Sequence, residues 1–393
     1  MSAFPLKLQF FVTYGVLGCL GPITALFLRD AKGFSPRQIG ITLALSTIGM
    51  LVSPAVMAWL ADREVDTRKI LRFIFVATAG ALVGVHFAER ASLVTTGWAV
   101  YSILFIPVLP LLDGYYFNHE RAHGDGRGGA DGSYQFVRVW GTIGFMVPAI
   151  AVYFIIDRTG SIADALWCGV AWCGLSFAST FLLAPSTVAG GVRRGSPTLR
   201  ALRVLVSKRT LPMCIGLFFV YVSASAYYPV VSVFFNDEIG IPAKWISPLM
   251  ALGVAIEIAY IFGLGPIRKL LRIRGIMIFG LTTMSLRLAM LAFFPTVTTS
   301  VLIQLFHGLE ILAMFVVPVI YLDRVAGDGF RNSIQGAWAI LVNVPTRVIG
   351  FVLAGEIGER LGSTEVLYVA SSLAGIGALL ILLLFKPQPP PAD

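Results

Sequence analysis

Four ionisable residues lie deep inside apolar segments of the C-terminal half of the chain, and their chemistry is that of a proton site. They are Glu257, Arg287 and the pair His307 and Glu310, which are three positions apart. A charged side chain at the centre of a membrane helix costs roughly 2.5 to 3.5 kcal/mol on insertion scales, so a chain that keeps several must gain a function from them. Desolvation and a neighbouring arginine act in opposite directions on the proton affinity of a carboxyl group. A solute that changes either effect would change proton occupancy; the alternative is that these charges only hold helices together.

A second group opens the predicted fifth helix. Arg138 is followed by Trp140 and Phe145, and Asp113 ends the preceding helix at a comparable depth with the opposite charge. We expect Arg138 and Asp113 to pair. An arginine beside aromatic rings supplies a fork of hydrogen-bond donors next to π faces, which suits a hydroxylated ring or a base. The sequence therefore predicts a solute-binding group here, whereas the glycines within it are explained by close helix packing.

These residues must be positioned by membrane helices, because the composition is that of a polytopic membrane protein. Of the 393 residues, 57% are hydrophobic and 13% charged, against about 25% charged in a soluble domain. Windows of about 20 apolar residues predict twelve spans. They cover residues 7–29, 37–60, 70–88, 93–117, 135–156, 162–185, 209–235, 245–267, 275–294, 299–322, 334–355 and 365–385. Glu257, Arg287 and Glu310 each lie 11 or 12 residues into a span, or roughly 17 Å deep at 1.5 Å per residue.

The distribution of charges and the lack of motifs exclude several classes of protein. The net charge of +9 comes from short basic clusters scattered between apolar runs, so we expect no nucleic-acid partner. His119 and His123 are four residues apart in a predicted cytoplasmic loop and could ligate a metal, but the sequence offers no obvious third ligand, and we expect no metal. Neither a pairing of nucleophile and base nor a cofactor motif is visible, so the chain is not expected to be an enzyme and needs no cofactor besides the proton.

Lysine and arginine residues are concentrated in the loops on one side of the predicted membrane. The positive-inside rule then places both termini in the cytoplasm. The polar stretch 186–208 divides the spans six and six, giving an N-terminal half (1–185), a cytoplasmic linker, a C-terminal half (209–386) and a disordered tail (387–393). The motif at residues 68–72 recurs at 268–272, as expected of parallel repeats.

The segment Leu60-Ala61-Asp62-Arg63, with Arg68 and Lys69 after it, resembles the signature between helices 2 and 3 of the major facilitator superfamily. This resemblance covers the whole chain. It implies an all-α polytopic fold of twelve transmembrane helices in two halves, transport by alternating access, and a cytoplasmic gate motif at Asp62 and Arg63.

Within that superfamily, the segment Val137 to Phe145 is similar to the corresponding segment of nucleoside:proton symporters and phenylpropionate permeases. The buried charges look instead like those of lactose permease. That likeness implies a solute and coupling ligand at Glu257, a partner of the proton site at Arg287, and a ligand and proton carrier at His307 and Glu310. It also implies an acid at Asp113, a substrate arginine at Arg138 and a stacking ring at Phe145.

Helices 1 and 7 commonly line the central cavity in this architecture, which makes four of their polar residues candidate solute contacts. They are Gln9, Tyr14, Tyr227 and Tyr228. Arg347 in helix 11 either faces the cavity as well or pairs with Glu356.

The predicted function is a proton-coupled symporter that imports a small polar solute, with nucleosides as the first choice. Sugars and aromatic acids are the alternative solutes. The alternative from another class is a membrane sensor or partner subunit that transports nothing. We expect a monomer in a bacterial inner membrane whose partners are the bilayer, the solute and the proton.

Overall fold

The computed structural model describes residues 4–47, 49–51, 65–123, 133–185, 203–326, 334 and 337–386. These residues fold into helices, which we number in chain order. They are α1 (Phe4–Asp30), α2 (Pro36–Ser46), α3 (Thr67–Phe87), α4 (Ala91–Tyr116), α5 (Phe136–Thr159), α6 (Ile162–Leu182), α7 (Leu211–Asp237), α8 (Ala243–Phe262), α9 (Leu264–Phe293), α10 (Val297–Leu322), α11 (Ala339–Arg360) and α12 (Ser363–Leu384).

All of these helices except α2 are long and apolar enough to cross a membrane, which makes 11 such helices in the described part of the chain. Helix α2 begins the span predicted at 37–60, most of whose second half lies outside the described residues. The prediction of membrane spans is thus confirmed wherever the structure describes them.

Local sequence signals explain where two of the helices begin. Ser35 caps α2 by accepting a hydrogen bond from the backbone of Gln38, whose side chain bonds back to the Ser35 backbone, with Pro36 at the first helical position. This reciprocal arrangement satisfies two amides that would otherwise lack partners. Asp66 caps α3 by accepting from the Arg68 backbone at 2.9 Å, and its carboxylate pairs with the Arg68 guanidinium at 2.7 Å. The hydrogen bond from the Arg68 side chain lowers the pKa of the Asp66 carboxyl group.

The predicted connection between helices 8 and 9, residues 268–274, contains a break in the helical path but begins too late along the chain. Helix α8 ends at Phe262 and α9 begins at Leu264, and the helical path is broken within α9 at Arg272, which has φ 56°. The basic residues 268–274 predict a loop by hydropathy, but lysine, arginine and leucine all favour helix. A proline near the helix start, Pro266, is also tolerated, because amides of the first turn have no intrahelical partner.

The helices form two compact units. The first comprises Met1–Arg193 and Ile241–Ala255, and the second comprises Arg194–Gly240 and Ile256–Asp393. The boundary at residues 193 and 194 falls in the predicted linker, which lies largely outside the described residues. The assignment of 1–185 and 209–386 as transporter halves, and of 387–393 as a disordered tail, stays a prediction.

Helix packing within each unit follows one pattern. In the first unit α1 packs on α5 and α6, while α3 packs on α4 and α6; six helices later, α7 packs on α11 and α12, while α9 packs on α10 and α12. Close approach is made possible by glycine at equivalent contacts, since a Cβ at Gly144 in α5 would meet the Phe11 backbone of α1 and one at Gly350 in α11 would meet the Val222 carbonyl of α7. This is the packing expected of an internal repeat of six helices.

Substitution of Gly144 by alanine is expected to destabilise the protein. The added methyl group would meet the Phe11 backbone carbonyl, which cannot move aside as a flexible side chain would, and overpacking of this kind costs about 1 to 3 kcal/mol. Gly174 in α6 is the matched control, because a Cβ there meets nothing within 4 Å and alanine favours helix by about 1 kcal/mol. Thermal unfolding in detergent should show a lower Tm for G144A and an unchanged or higher Tm for G174A. Equal Tm values for the two variants would contradict the close contact.

Candidate functional site

Three charged side chains predicted to act together do meet inside the second unit. Arg287 in α9 and Glu310 in α10 are buried, at 2% and 3% exposure, and His307 is 9% exposed. Arg287 Nη1 lies 3.1 Å from Glu310 Oε2, and His307 Nδ1 lies 2.9 Å from Glu310 Oε1. Arg287 Nη1 is also 3.2 Å from His307 Nδ1. The spacing of three residues puts His307 and Glu310 on one helix face, and α9 supplies the arginine that faces them.

The geometry makes His307 Nδ1 a shared atom. An imidazole nitrogen either carries a hydrogen and donates, or carries a lone pair and accepts. When Nδ1 carries hydrogen, it can donate to the Glu310 carboxylate but cannot accept from Arg287. When Nδ1 carries a lone pair, it can accept from Arg287, but it can then meet Glu310 at 2.9 Å favourably only if that carboxyl group holds the proton. The cluster therefore has alternative hydrogen-bonded states that differ in where a proton sits.

Tyr227 of α7 covers this cluster. Its ring is 2% exposed and lies under the Arg287 guanidinium, 5.1 Å from the guanidinium carbon to the ring centroid. Among the described residues, the buried polar atoms without a hydrogen-bond partner include Tyr227 Oη, Arg287 Nε and Glu310 Oε2. Glu310 Oε2 is close to the Arg287 charge but outside hydrogen-bonding geometry. An unsatisfied buried polar atom costs about 1 to 3 kcal/mol, so this cluster is held at an energetic cost.

Tyr228 and Glu257 lie at the edge of the same cluster. The Tyr228 side chain is 43% exposed and its ring centroid is 5.5 Å from that of Tyr227. Its hydroxyl is within electrostatic range of Glu310, Arg287 and Glu257, and Glu257 on α8 is half-buried. Three of the four ionisable residues singled out in the sequence, Glu257, Arg287 and Glu310, thus lie within electrostatic range of one tyrosine. Their roles in coupling stay a prediction.

Two π-helical turns adjoin the charged residues, and sequence reasoning missed both. One covers Leu312–Val316 and begins two residues after Glu310, and the other covers Ala339–Asn343 and ends four residues before Arg347. Such turns are rare and frequently occur at functional sites.

The signal that could have predicted these turns is a proline two residues beyond each of them, at positions 318 and 345. Proline has no amide hydrogen, so the carbonyl four residues earlier loses its helical partner. At the first turn that carbonyl belongs to Met314, and the Tyr221 hydroxyl donates to it instead. Tyr221 is thereby fixed between α7 and α10.

The first unit contains the second predicted group. The Arg138 guanidinium of α5 lies over the Tyr14 ring of α1, with 4.3 Å from the guanidinium carbon to the ring centroid. Tyr14 is 8% exposed, and its hydroxyl is within electrostatic range of both Arg138 and Asp113. The two charges predicted to pair therefore share Tyr14 as a neighbour. A direct Arg138–Asp113 pair stays a prediction.

The aromatic residues of this segment point to different partners. Phe145 packs over α1 at Gly18 and Gly21. Trp140 is 39% exposed, and its ring lies edge-on to Phe11 at 6.5 Å. Positions 138 and 145 share a helix face, whereas position 140 is turned about 200° from 138. Trp140 and Arg138 thus face different surroundings.

Gln9 is used in helix packing. Its amide nitrogen donates to Thr13 Oγ1 at 3.1 Å and to the Ser176 carbonyl at 3.3 Å, and its amide oxygen accepts from Ser179 Oγ at 2.7 Å. The side chain is fully buried between α1 and α6. A solute could bind Gln9 only after these hydrogen bonds were broken, so its role as a solute ligand stays a prediction. The glycines at 141 and 144 are at close contacts with α1, which confirms their interpretation as packing residues.

The remaining candidates lie outside what the structure describes. Asp62 and Arg63 fall in the stretch 52–64, and the side chains of His119 and His123 belong to a segment whose side chains are not described. Within the described residues, no group of three or more histidine, cysteine, aspartate or glutamate side chains could hold a metal ion.

Comparison with known proteins decides the family. The model of the MFS_1-like family matches residues 4–370. The chain belongs to this family. Its fold is that of the major facilitator superfamily, and it is an integral membrane transporter of small solutes, not an enzyme.

Characterised and curated relatives are distant in sequence. The transporter is 23% identical over 346 residues to "Putative nucleoside transporter YegT" of Escherichia coli K12, which covers 84% of this chain and 78% of the relative. It is 19% identical over 378 residues to the xanthosine permease of the same organism, covering 90% and 87%. It is 26% identical over 160 residues to the maltose permease of Geobacillus stearothermophilus, covering 40% and 38%.

Among solved structures, that of the nucleoside transporter NupG matches with a TM-score of 0.83 and 18% identity, covering 98% of this chain and all of NupG. A bacterial homologue of the iron transporter ferroportin, in its inward-facing state, matches with a TM-score of 0.71 and 11% identity, covering 97% and 99%. At such identities the likeness describes the fold alone.

Proposed function

We propose that this transporter is a proton-coupled symporter that imports nucleosides by alternating access. Three similar proteins support the solute class: one is named "Putative nucleoside transporter YegT", the second is the nucleoside transporter NupG, and the third is a xanthosine permease. The local match to a maltose permease makes a sugar the second candidate. The expected setting is a bacterial inner membrane with both termini in the cytoplasm, and the transporter works as a monomer.

The observation that carries proton coupling is the position of His307 Nδ1 between Arg287 Nη1 and Glu310 Oε1. Moving one proton onto the histidine and carboxylate pair changes which hydrogen bonds these three groups can make. A buried carboxylate paired with arginine is tolerated, whereas a buried cation without its partner is costly. Protonation of Glu310 therefore weakens its hold on Arg287 and frees that guanidinium to seek another acceptor.

Solute binding is linked to this step through Tyr228, whose side chain is 43% exposed and lies within electrostatic range of Glu310, Arg287 and Glu257. A hydroxyl-rich solute would donate to Glu257 and meet the Tyr228 ring. Arg138 on Tyr14 supplies the second proposed solute contact, in the first unit. In this proposal, binding of the solute at Tyr228 and protonation of Glu310 favour the same arrangement of the buried charges, and this couples the two.

Uptake by purified protein in proteoliposomes tests this proposal. With an inward proton gradient of one pH unit, one-to-one symport of an uncharged nucleoside should approach a tenfold accumulation, since 1.4 kcal/mol corresponds to a factor of ten. A protonophore should return the ratio to about one. Accumulation that does not depend on the pH gradient would contradict proton symport.

Parallel assays separate the alternatives. Maltose and an aromatic acid, offered in the same liposomes, distinguish a sugar or acid symporter from a nucleoside symporter. Binding of a nucleoside without any uptake or exchange would indicate a sensor instead.

A further inference from the structure

Arg347 is a membrane-embedded cation that the proton cluster does not use. It lies on α11, three residues before Gly350, whose Cα approaches Val222, Ser225 and Ala226 of α7. Residues three apart share a helix face. The Arg347 side chain is exposed while Gly350 is buried. Arg347 therefore extends from the face of α11 that packs on α7, at a level where that face is open.

Two neighbours of Arg347 are phenols. Tyr221 and Tyr228 of α7 both lie within electrostatic range of its guanidinium, and they are seven residues apart, which places them on one face of α7 about 10 Å apart along the axis. Tyr221 is buried, with its hydroxyl donating to the Met314 carbonyl. Tyr228 is the exposed member of the pair.

Within the described residues, Arg347 has no carboxylate at ion-pair distance. The alternative partner, Glu356, pairs with Arg360 at 3.2 Å. A guanidinium in a membrane helix carries five donors that need acceptors, and its insertion is costly. The two phenols cannot neutralise its charge, so the guanidinium is available to an acceptor that comes from outside the protein.

We propose that Arg347 and the Tyr228 hydroxyl together read the carbonyl-bearing edge of the transported base, O6 and N7 of a 6-oxopurine or O4 of uracil. This inference rests on the proposed nucleoside transport and names the substrate class of that site. A guanidinium fork matches two adjacent acceptors, as in the pairing of arginine with O6 and N7 of guanine. An exocyclic amino group at the same position presents hydrogens to a cation and is rejected. The second π turn and Pro345 lie directly before Arg347 and set the rotation of α11 at this point.

Two matched pairs of ligands test the proposal, because inosine and adenosine differ at position 6 of the base, and uridine and cytidine differ at position 4. Dissociation constants are measured by calorimetry on the purified full-length protein. The wild type should favour inosine over adenosine by about 5- to 150-fold, the range of one well-placed bidentate pair. It should favour uridine over cytidine by a smaller factor, because O4 of uracil is a single acceptor with no second acceptor beside it. R347Q should reduce both ratios to below about threefold, because it weakens the binding of inosine and of uridine, the nucleosides that carry the oxo group. R347K should be intermediate, since lysine is a point charge without a fork.

Arg360→Gln is the matched control on the same helix, because Arg360 is exposed and paired with Glu356; it should leave both ratios unchanged. Y228F removes the second donor while keeping the ring, and should lower both ratios even if R347Q does not fold. Unchanged ratios in R347Q and Y228F, or an equal loss for all four nucleosides, would overturn the proposal. A wild type that binds maltose and none of the nucleosides would instead overturn the proposed function, and this inference with it.

Discussion

Replacement of Glu310 by glutamine is expected to abolish accumulation driven by a proton gradient while leaving exchange of labelled solute across the membrane. Glutamine keeps the shape of the side chain and can still accept a hydrogen bond, but it cannot take up a proton. In proteoliposomes with a gradient of one pH unit, the accumulation ratio should fall from about ten in the wild type to about one in E310Q. Exchange between labelled solute outside and unlabelled solute inside needs no net proton movement and should persist.

The same substitution should lower stability, and this effect must be separated from coupling. Arg287 is 2% exposed and pairs with Glu310 at 3.1 Å. Removing one partner of a buried pair costs about 3 to 5 kcal/mol, because the remaining charge is left uncompensated. The double variant R287Q/E310Q removes both charges and should recover much of the lost thermal stability without recovering accumulation.

Two controls make the result decisive. Glu356→Gln changes a carboxylate on α11 whose partner, Arg360, is exposed, and it should leave accumulation unchanged. His307→Gln removes the shared ring nitrogen and should weaken accumulation as well. If E310Q accumulates solute as the wild type does, Glu310 is not the proton carrier; if it also loses exchange at normal stability, its role is in solute binding or conformational change.

The spans were predictable to within a few residues for a physical reason. Inside a bilayer every backbone polar group must be satisfied within its own segment, so apolar runs of sufficient length become helices whatever their local propensities. The error at the start of α9 has the opposite cause. Residues 268–274 are rich in lysine and arginine, so hydropathy excluded them from a span, although lysine, arginine and leucine favour helix and the break comes only at Arg272.

The meeting of Glu310 with Arg287 and His307 was also predictable in part. Depth came from counting residues along each span, and the shared face of His307 and Glu310 came from their spacing. The sharing of one nitrogen between arginine and carboxylate was not predictable, since it depends on the rotation of α9 about its axis and on side-chain rotamers. Tyr227 under Arg287 could not be predicted either, because helix rotation is set by packing against neighbouring helices.

Gln9 shows how a polar residue can be predicted as a solute ligand when its hydrogen bonds are already used in helix packing. Its position as a polar residue in the first helix predicts a solute ligand, and no residue near it in the sequence indicates a packing role. In the structure its three hydrogen bonds go to Thr13, Ser176 and Ser179. Ser176 and Ser179 are 167 and 170 residues away along the chain. Only the tertiary fold therefore reveals that the Gln9 amide already has hydrogen-bond partners.

Replacement of Arg138 by glutamine is expected to weaken nucleoside binding by about 10- to 150-fold. Hydrogen bonds to a charged group contribute about 1.5 to 3 kcal/mol, and each 1.4 kcal/mol is a factor of ten. The guanidinium already lies over the Tyr14 ring, so it is held in place before the solute arrives and little entropy is lost on binding. Calorimetric titration of uridine into the purified variant measures the loss.

Arg158 at the end of the same helix is the matched control, because its side chain is exposed; R158Q should bind uridine as the wild type does. R138K should recover only part of the affinity, since an ammonium group cannot form the planar fork of a guanidinium. In R138Q the proton cluster of the second unit is untouched, so any residual uptake should still respond to the pH gradient, in contrast to E310Q. A dissociation constant for R138Q within about twofold of the wild type would mean that Arg138 holds α5 on α1 through Tyr14 and does not contact the solute.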